Sequence, residues 1–146
     1  MRRGWQTAAL NGQATGTMSN DLLFDTNALI DIYKGRQRIK PYFDAYVKTD
    51  RLTFISAISE AELWRGLRVG EFDQHAILVA RFVVLPLRSD AARLAGSWMQ
   101  QYHSVGLGWM DALITATAAI ADATVLTRDK RLVSVLEAQA VFELYE

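Results

Sequence analysis

The sequence contains no cysteine, so disulfide bonds and thiolate metal sites are excluded. This absence suits a reducing compartment, and we expect a cytoplasmic protein. The sequence also has no excess of basic residues, because 16 Lys and Arg balance 16 Asp and Glu. A protein that coats nucleic acid through its overall charge does not have this composition, although a local basic surface is compatible with it.

Long hydrophobic segments are also absent. The apolar stretch at 76–87 is interrupted by an arginine and a proline, whereas a transmembrane helix needs about 18 apolar residues. Arg2 and Arg3 precede no sustained apolar segment of the kind found in export signals. We therefore expect no association with a membrane. Histidine is scarce, and the spacing of His75 and His103 matches no catalytic motif.

The remaining composition is that of one globular domain, with 51% hydrophobic and 22% charged residues in 146. Residues 1–20 are rich in Gly, Ser, Thr, Asn and Gln and have no steady apolar period. This composition predicts a disordered or extension tail, with Met18 as an alternative start of translation. The folded domain is predicted to span 21–146.

Short apolar segments alternate with segments of helical periodicity along that domain. The predicted strands are 22–24, 52–55, 83–85, 124–126 and 141–144. The predicted helices are 28–34, 41–47, 57–68, 72–81, 91–102 and 112–121. Strands that alternate with helices predict an α/β fold, in which a central parallel sheet of about five strands is flanked by helices on both faces.

Four acidic residues fall on or just beyond the carboxyl ends of the predicted strands. Asp25 follows the first strand, and Glu62 lies about two helical turns after the second. Asp111 opens the alanine-rich helix, and Asp129 follows the fourth strand. Ligands of open α/β sheets bind at this edge. Since converging carboxylates need compensation, the pattern predicts a hard divalent cation such as Mg²⁺.

Each carboxylate also has a purely structural interpretation. Asp25 is a suitable helix N-cap, and Asp111 in a first turn complements the helix dipole. Glu62 is either the partner of Ser59 in a Ser-x-x-Glu capping box or a solvated helix charge. Asp129 is one charge in a mainly basic segment. Singly these interpretations suffice, but they do not explain why all four carboxylates fall at one edge.

Four segments resemble the motifs of a known enzyme family. They are DTNALID at 25–31, ELWRG at 62–66, DALITATA at 111–118 and LTRD at 126–129. In this order and spacing they resemble PIN-domain ribonucleases, most closely the VapC toxins of bacterial type II toxin–antitoxin pairs. The family places its glutamate four residues before the glycine, which selects Glu62 over Glu60.

The resemblance implies a PIN-like fold and a Mg²⁺-dependent endoribonuclease that hydrolyses RNA phosphodiester bonds with metal-activated water, with Mn²⁺ able to substitute. Asp25 and Asp111 are then expected to be direct metal ligands. Glu62 and Asp129 are expected to complete the catalytic quartet, through water or a second ion. The supporting residues that the resemblance implies are Thr26, Asn27 and Thr127.

Contacts with RNA phosphates are expected from basic residues outside the acidic centre. The candidates are Arg36, Arg38, Lys40, Arg65, Arg68, Arg128, Lys130 and Arg131. The resemblance also implies a VapB-like antitoxin, a homodimer and a toxin–antitoxin hetero-oligomer. Aromatic residues of the second and third helices would serve these interfaces or the core, namely Tyr42, Phe43, Tyr46 and Trp64.

Two other interpretations are open at this point. One is a PIN fold that binds RNA or protein with weak or lost nuclease activity, although the complete acidic quartet favours catalysis. The other is a different α/β phosphotransfer enzyme. A haloacid-dehalogenase-like phosphatase needs a second aspartate two residues after Asp25, where Asn27 stands, and no Gly-rich phosphate loop follows the first strand.

Overall fold

The structure, a computed structural model, describes residues 21–49 and 51–146. The predicted tail at 1–20 lies outside the described residues. The strands are β1 Leu22–Phe24, β2 Thr53–Ser56, β3 Val83–Leu85, β4 Thr124–Thr127 and β5 Phe142–Leu144. They form one sheet in the order β3-β2-β1-β4-β5, in which every pair is parallel. The predicted five-stranded parallel sheet is confirmed.

Helices connect the strands and cover the sheet. The α-helices are α1 Thr26–Tyr33, α2 Lys40–Tyr42, α3 Ala57–Gly66, α4 Phe72–Val79, α5 Ser89–Tyr102, α6 Trp109–Ile120 and α7 Lys130–Leu136. Short 3₁₀ turns lie at Gln37–Ile39 and His103–Val105, and a π-helical turn at Phe43–Val47. Across the described ranges, no helix has the length and apolar character that crossing a bilayer requires.

Three helices differ from the sequence prediction by more than two terminal residues. The predicted helix 41–47 is divided between α2 and the π-helical turn Phe43–Val47. Helix α7 is not predicted, because its seven residues are too few for a helical period to be recognised between a charged turn and a strand. Helix α6 begins two residues before Asp111, with Gly108 as its N-cap. The Ala112 N–H donates to the Gly108 carbonyl at 3.0 Å, so the first turn of the helix includes Trp109 and Met110. Asp111 is therefore its third residue.

The side chains of β1 alternate between two helical layers. Leu22 and Phe24 belong to the same core cluster as Leu29 of α1. Leu23 belongs to a second cluster with Ile114 of α6. All three residues of β1 are buried. Because helices cover both faces, this strand is a continuous apolar run rather than an alternating pattern.

The chain segments that follow β1 and β4 lie side by side. Strand β1 pairs with β2 on one side and with β4 on the other, and Phe24 is in register with Leu126. The order therefore reverses between β1 and β4, which is the switch point where open α/β sheets form their ligand crevice. The backbone N–H of Asp25 donates to the Leu126 carbonyl at 3.0 Å, which fixes the first turn against β4.

A buried aspartate, Asp31, links α1 to the turn after β4 and to the end of the chain. One of its oxygens, Oδ2, accepts hydrogen bonds from Arg128 Nε at 2.9 Å and the Tyr145 hydroxyl at 2.8 Å. Arg38 Nε lies 3.3 Å from the same atom. Burial acts to raise the pKa of Asp31, but Tyr145 and the two arginines outweigh it and lower the pKa.

We expect Tyr145→Phe to lower the free energy of unfolding by about 1.5–3 kcal/mol at pH 7, because it removes a buried hydrogen bond to a charged group. The lowered pKa of Asp31 means that this difference is present above pH about 4 and is lost as the pH falls further. Urea unfolding followed by circular dichroism measures both effects.

Tyr42→Phe is the matched control, because the ring of Tyr42 lies 5.8 Å from that of Tyr145 but its hydroxyl donates to the exposed Glu143. We expect a change within about 0.5 kcal/mol. Equal losses in the two variants would contradict the structural role given to the Asp31 contacts.

Candidate active site

Asp25 occupies the turn between β1 and α1 and caps the helix. Its Oδ1 accepts a hydrogen bond from the Thr26 backbone N–H at 2.8 Å, and its carbonyl accepts from Ala28 and Leu29. The residue is only 4% exposed. The N-cap interpretation is therefore correct for this residue, but it accounts for one carboxylate oxygen only.

The second oxygen of Asp25 faces β4. Oδ2 accepts a hydrogen bond from the Thr127 hydroxyl at 2.8 Å and one from Asn27 Nδ2 at 3.3 Å. Thr127 is fully buried, and its hydroxyl also accepts from Asn27 Nδ2 and from the Asp129 backbone N–H, each at 3.1 Å. Asn27 and Thr127 thus join the ends of β1 and β4, and every side-chain or backbone donor to the Asp25 carboxylate among the described residues is neutral.

A second chain of hydrogen bonds connects α1 to Glu62 on α3. The Thr26 hydroxyl donates to Glu62 Oε1 at 2.6 Å and lies 2.8 Å from Ser59 Oγ. Since Thr26 has a single hydroxyl proton and gives it to Glu62, Ser59 is the donor to Thr26. Ser56, whose Oγ accepts from the Ile58 N–H at 2.9 Å, is the N-cap of α3. Ser59 is therefore not the cap of a capping box.

The four predicted carboxylates share one electrostatic environment. Burial raises the pKa of Asp25, hydrogen bonds from Thr127 and Thr26 act against this, and the charges of Glu62 and Asp129 raise it further. Burial also raises the pKa of Asp111, and together with the charges of Asp25, Asp129 and Glu62 it brings that pKa to about 6. Burial is the main cause of both raised pKa values, and the neighbouring carboxylates add to it.

The residues at this edge fit a hard divalent cation. They offer carboxylate oxygens, and after burial the charges of neighbouring carboxylates help to raise the pKa of Asp25 and of Asp111. Within the described segments, no three acidic, histidine or cysteine side chains are already gathered as a metal-binding group. Mg²⁺ is compatible with such a site, because it commonly uses one or two carboxylates and keeps several waters.

A small cleft opens beside Asp111 and Asp129. It has a volume of about 50 Å³, and Gly106 and Arg131 also line it. Arg131 is the cation that lowers the pKa of Asp111. The cleft therefore has carboxylates on one part of its wall and a guanidinium on another.

The predicted RNA-contact residues occupy different surroundings. Arg38 and Arg128 are ion-paired with Asp31. Two lysines are paired on the surface, Lys40 with Asp44 at 3.3 Å and Lys130 with Glu146 at 3.8 Å. Arg36 and Arg65 are exposed, and neither has an ion-pair partner among the described residues.

Two residues of this region have contacts that sequence reasoning did not predict. Ser59, considered above only as a capping partner of Glu62, is fully buried and hydrogen-bonded to Thr26, and its position three residues before Glu62 places both on one helix face. Asp31 contacts Arg128 and Tyr145, which are 97 and 114 residues away in sequence. No local sequence pattern predicts contacts between residues so far apart in the chain.

Comparisons with known proteins agree with this fold. The PIN domain family model matches residues 22–137. A curated relative, Ribonuclease VapC10 of Mycobacterium tuberculosis, is 34% identical over 110 residues, which cover 73% of this chain and 80% of the relative.

Solved structures of toxin–antitoxin proteins are also similar to this chain. A toxin–antitoxin complex from Klebsiella pneumoniae aligns with a TM-score of 0.63 and 28% identity, over 77% of this chain and 90% of the other. VapBC2 from Rickettsia felis, bound to a DNA fragment from its promoter, has a TM-score of 0.71 over 86% of this chain and 99% of the other. At 21% identity the second likeness concerns the fold alone. The chain therefore belongs to the PIN-domain family and, within it, to the VapC-type toxins.

Proposed function

We propose that this protein is a cytoplasmic Mg²⁺-dependent endoribonuclease toxin that hydrolyses RNA phosphodiester bonds. The observation that carries the proposal is the environment of Asp25, a buried carboxylate with neutral donors only and with raised pKa. The name of the relative Ribonuclease VapC10 supports the class of reaction. A binding module would gain nothing from this uncompensated charge, which costs stability.

In this proposal Asp25 and Asp111 would hold the cation directly. Glu62 and Asp129 would complete the site through water or a second ion. When bound, the cation activates the attacking water and neutralises charge on the phosphate and the leaving group. Mn²⁺ would substitute for Mg²⁺, since both take carboxylate and water ligands.

The supporting residues have separate tasks. Thr127 and Asn27 hold Oδ2 of Asp25 in place from the β4 side. Thr26 holds Glu62, and Ser59 holds Thr26. Asp129 uses its Oδ1 to cap α7 through the Leu132 N–H at 3.1 Å. These contacts keep the carboxylates oriented before substrate arrives, which lowers the cost of reorganisation.

Phosphate contacts on the surrounding surface are assigned to the predicted basic residues Arg36, Arg38, Lys40, Arg65, Arg128 and Lys130. Arg36 and Arg65 are exposed and have no ion-pair partner among the described residues, so they can contact RNA without breaking an ion pair. Arg38 and Arg128 are held by Asp31, so they would contribute a fixed positive charge rather than mobile side chains.

The regulatory partner is proposed to be a VapB-like antitoxin, in a hetero-oligomer that contains a toxin homodimer. Toxin–antitoxin complexes among the similar structures support this. Three of the four aromatic residues considered for an interface, Tyr42, Phe43 and Tyr46, pack against the core. Trp64 is 52% exposed and stacks on Phe72, so we assign Trp64 to a partner surface.

Asp25→Asn and Asp111→Asn should each reduce RNA cleavage by at least about 100-fold, because each removes a negative charge from the cation site and several kcal/mol of charge stabilisation depend on that cation. Cleavage of RNA by the purified protein is measured with Mg²⁺ and after EDTA, together with growth arrest on expression. Circular dichroism checks that the variants remain folded.

Glu60→Gln is the matched control, because Glu60 is an acidic residue of the same helix as Glu62 and its side chain makes no hydrogen bond or ion pair among the described residues. It should cleave at the rate of the unmodified protein. Full activity in either aspartate variant would refute the ligand assignment, and RNA binding without any cleavage in Mg²⁺ or Mn²⁺ would favour the binding-module alternative.

Thr127→Val should weaken Mn²⁺ binding by about 10–100-fold, because the hydroxyl orients a ligand carboxylate. Thr124→Val on the same strand is the control, since Thr124 has no side-chain hydrogen bond among the described residues. Isothermal titration calorimetry measures both affinities. An unchanged affinity in Thr127→Val would show that this hydroxyl does not support a cation ligand.

Cation affinity should depend on pH in a defined direction. Asp111, with a pKa of about 6, must release its proton when a cation binds, so the affinity for Mn²⁺ should fall about tenfold per pH unit below pH 6. Above that pH the contribution of Asp111 should level off. Titrations at several pH values, in two buffers of different ionisation enthalpy, give the affinity and the number of protons released. Constant affinity from pH 5 to 7.5 would contradict this account.

A further inference from the structure

The cleft beside the carboxylates contains an arginine that the proposed catalytic site does not use. Arg131 lines this cleft together with Asp111 and Asp129. It is the second residue of α7 and is exposed. Its guanidinium lowers the pKa of Asp111, so it lies within electrostatic range of that carboxylate.

Arg131 differs from the neighbouring basic residues because it has no ion-pair partner among the described residues. Arg128 is bonded to Asp31, and Lys130 is paired with Glu146. Among residues 21–49 and 51–146, no carboxylate lies within ion-pair distance of Arg131. Its guanidinium donors are therefore available to an anion that enters the cleft.

A glycine makes room for this guanidinium. Gly106 ends the 3₁₀ turn His103–Val105 with φ of 102°, a left-handed conformation that favours glycine. A Cβ atom at Gly106 would collide with the guanidinium of Arg131. The backbone at Gly106 therefore forms a wall against which the arginine lies, beside the two carboxylates.

We propose that Arg131 binds a phosphate of the RNA strand next to the carboxylate cluster, and so positions the strand for cleavage. The inference rests on the proposed function of the same site. A phosphate in the cleft is repelled by Asp111 and Asp129, and the guanidinium that lines the same cleft offsets this repulsion. Arginine suits this task because its planar donors match two phosphate oxygens at once. The contact is independent of base identity.

The test measures binding of a fluorescein-labelled, mixed-sequence single-stranded RNA 12-mer by fluorescence anisotropy over a range of KCl concentrations. All variants carry Asp25→Asn, so the RNA stays intact. Arg131→Ala should raise Kd about tenfold, since it removes a charge-assisted contact. It should also make the slope of log Kd against log salt shallower by about 0.7, the value for one phosphate contact with a single strand.

Two further variants separate charge from structure. Arg131→Lys should keep the salt slope and give an intermediate Kd, because it retains the charge and loses the planar donors. Arg81→Ala, an exposed arginine just before β3 at the opposite edge of the sheet, should change neither quantity. An unchanged Kd in Arg131→Ala would overturn the inference, as would a raised Kd with an unchanged slope.

Failure of this inference is distinguishable from failure of the proposed function. If the unmodified protein cleaves RNA and Asp25→Asn does not, the proposed function stands whatever Arg131→Ala shows. If the unmodified protein neither binds nor cleaves the RNA in Mg²⁺ or Mn²⁺, the proposed function fails, and the inference falls with it.

Discussion

The buried negative charge of Asp25 is the constraint on which the rest of the site depends. Asp25 and Asp31 stand at opposite ends of one short helix, and both are buried. Two arginines and a tyrosine hydroxyl surround Asp31, whereas neutral donors surround Asp25. Their pKa values consequently move in opposite directions. The fold pairs Asp31 with two arginines, whereas Asp25 has only neutral donors among the described residues.

The sheet order explains why this charge lies at the carboxyl edge of the sheet. Strands β1 and β4 are neighbours, and the segments that follow them lie side by side. Thr127, the last residue of β4, supplies the hydroxyl that orients Asp25, and the same turn continues into Asp129. Asp31 holds Arg128 in that turn, so Asp31 also anchors the segment that orients Asp25.

Much of the fold and the acidic site follows from local sequence pattern, whereas the contacts that support the site do not. The apolar run 22–24 predicts a buried strand, which is correct because both faces of β1 are covered. The polar residues after this run predict the edge of the sheet at which a ligand would bind. Helix α7 is too short to show a period, and Asp31 meets partners about 100 residues away in the chain. Arg131 could be named as a basic residue, but only the close approach of Gly106 shows where its guanidinium lies.

The central claim is that Asp25 carries an uncompensated charge that a divalent cation balances. Carboxyl ¹³C NMR measures it directly, by titrating Asp25, Asp31 and Asp111 over pH with and without Mg²⁺. Without the ion, Asp25 and Asp111 should titrate above the ordinary aspartate pKa of about 3.9, and Asp31 below it. Mg²⁺ should lower the first two pKa values and leave that of Asp31 unchanged. An ordinary pKa for Asp25 without the ion, or no response to Mg²⁺, would contradict the account.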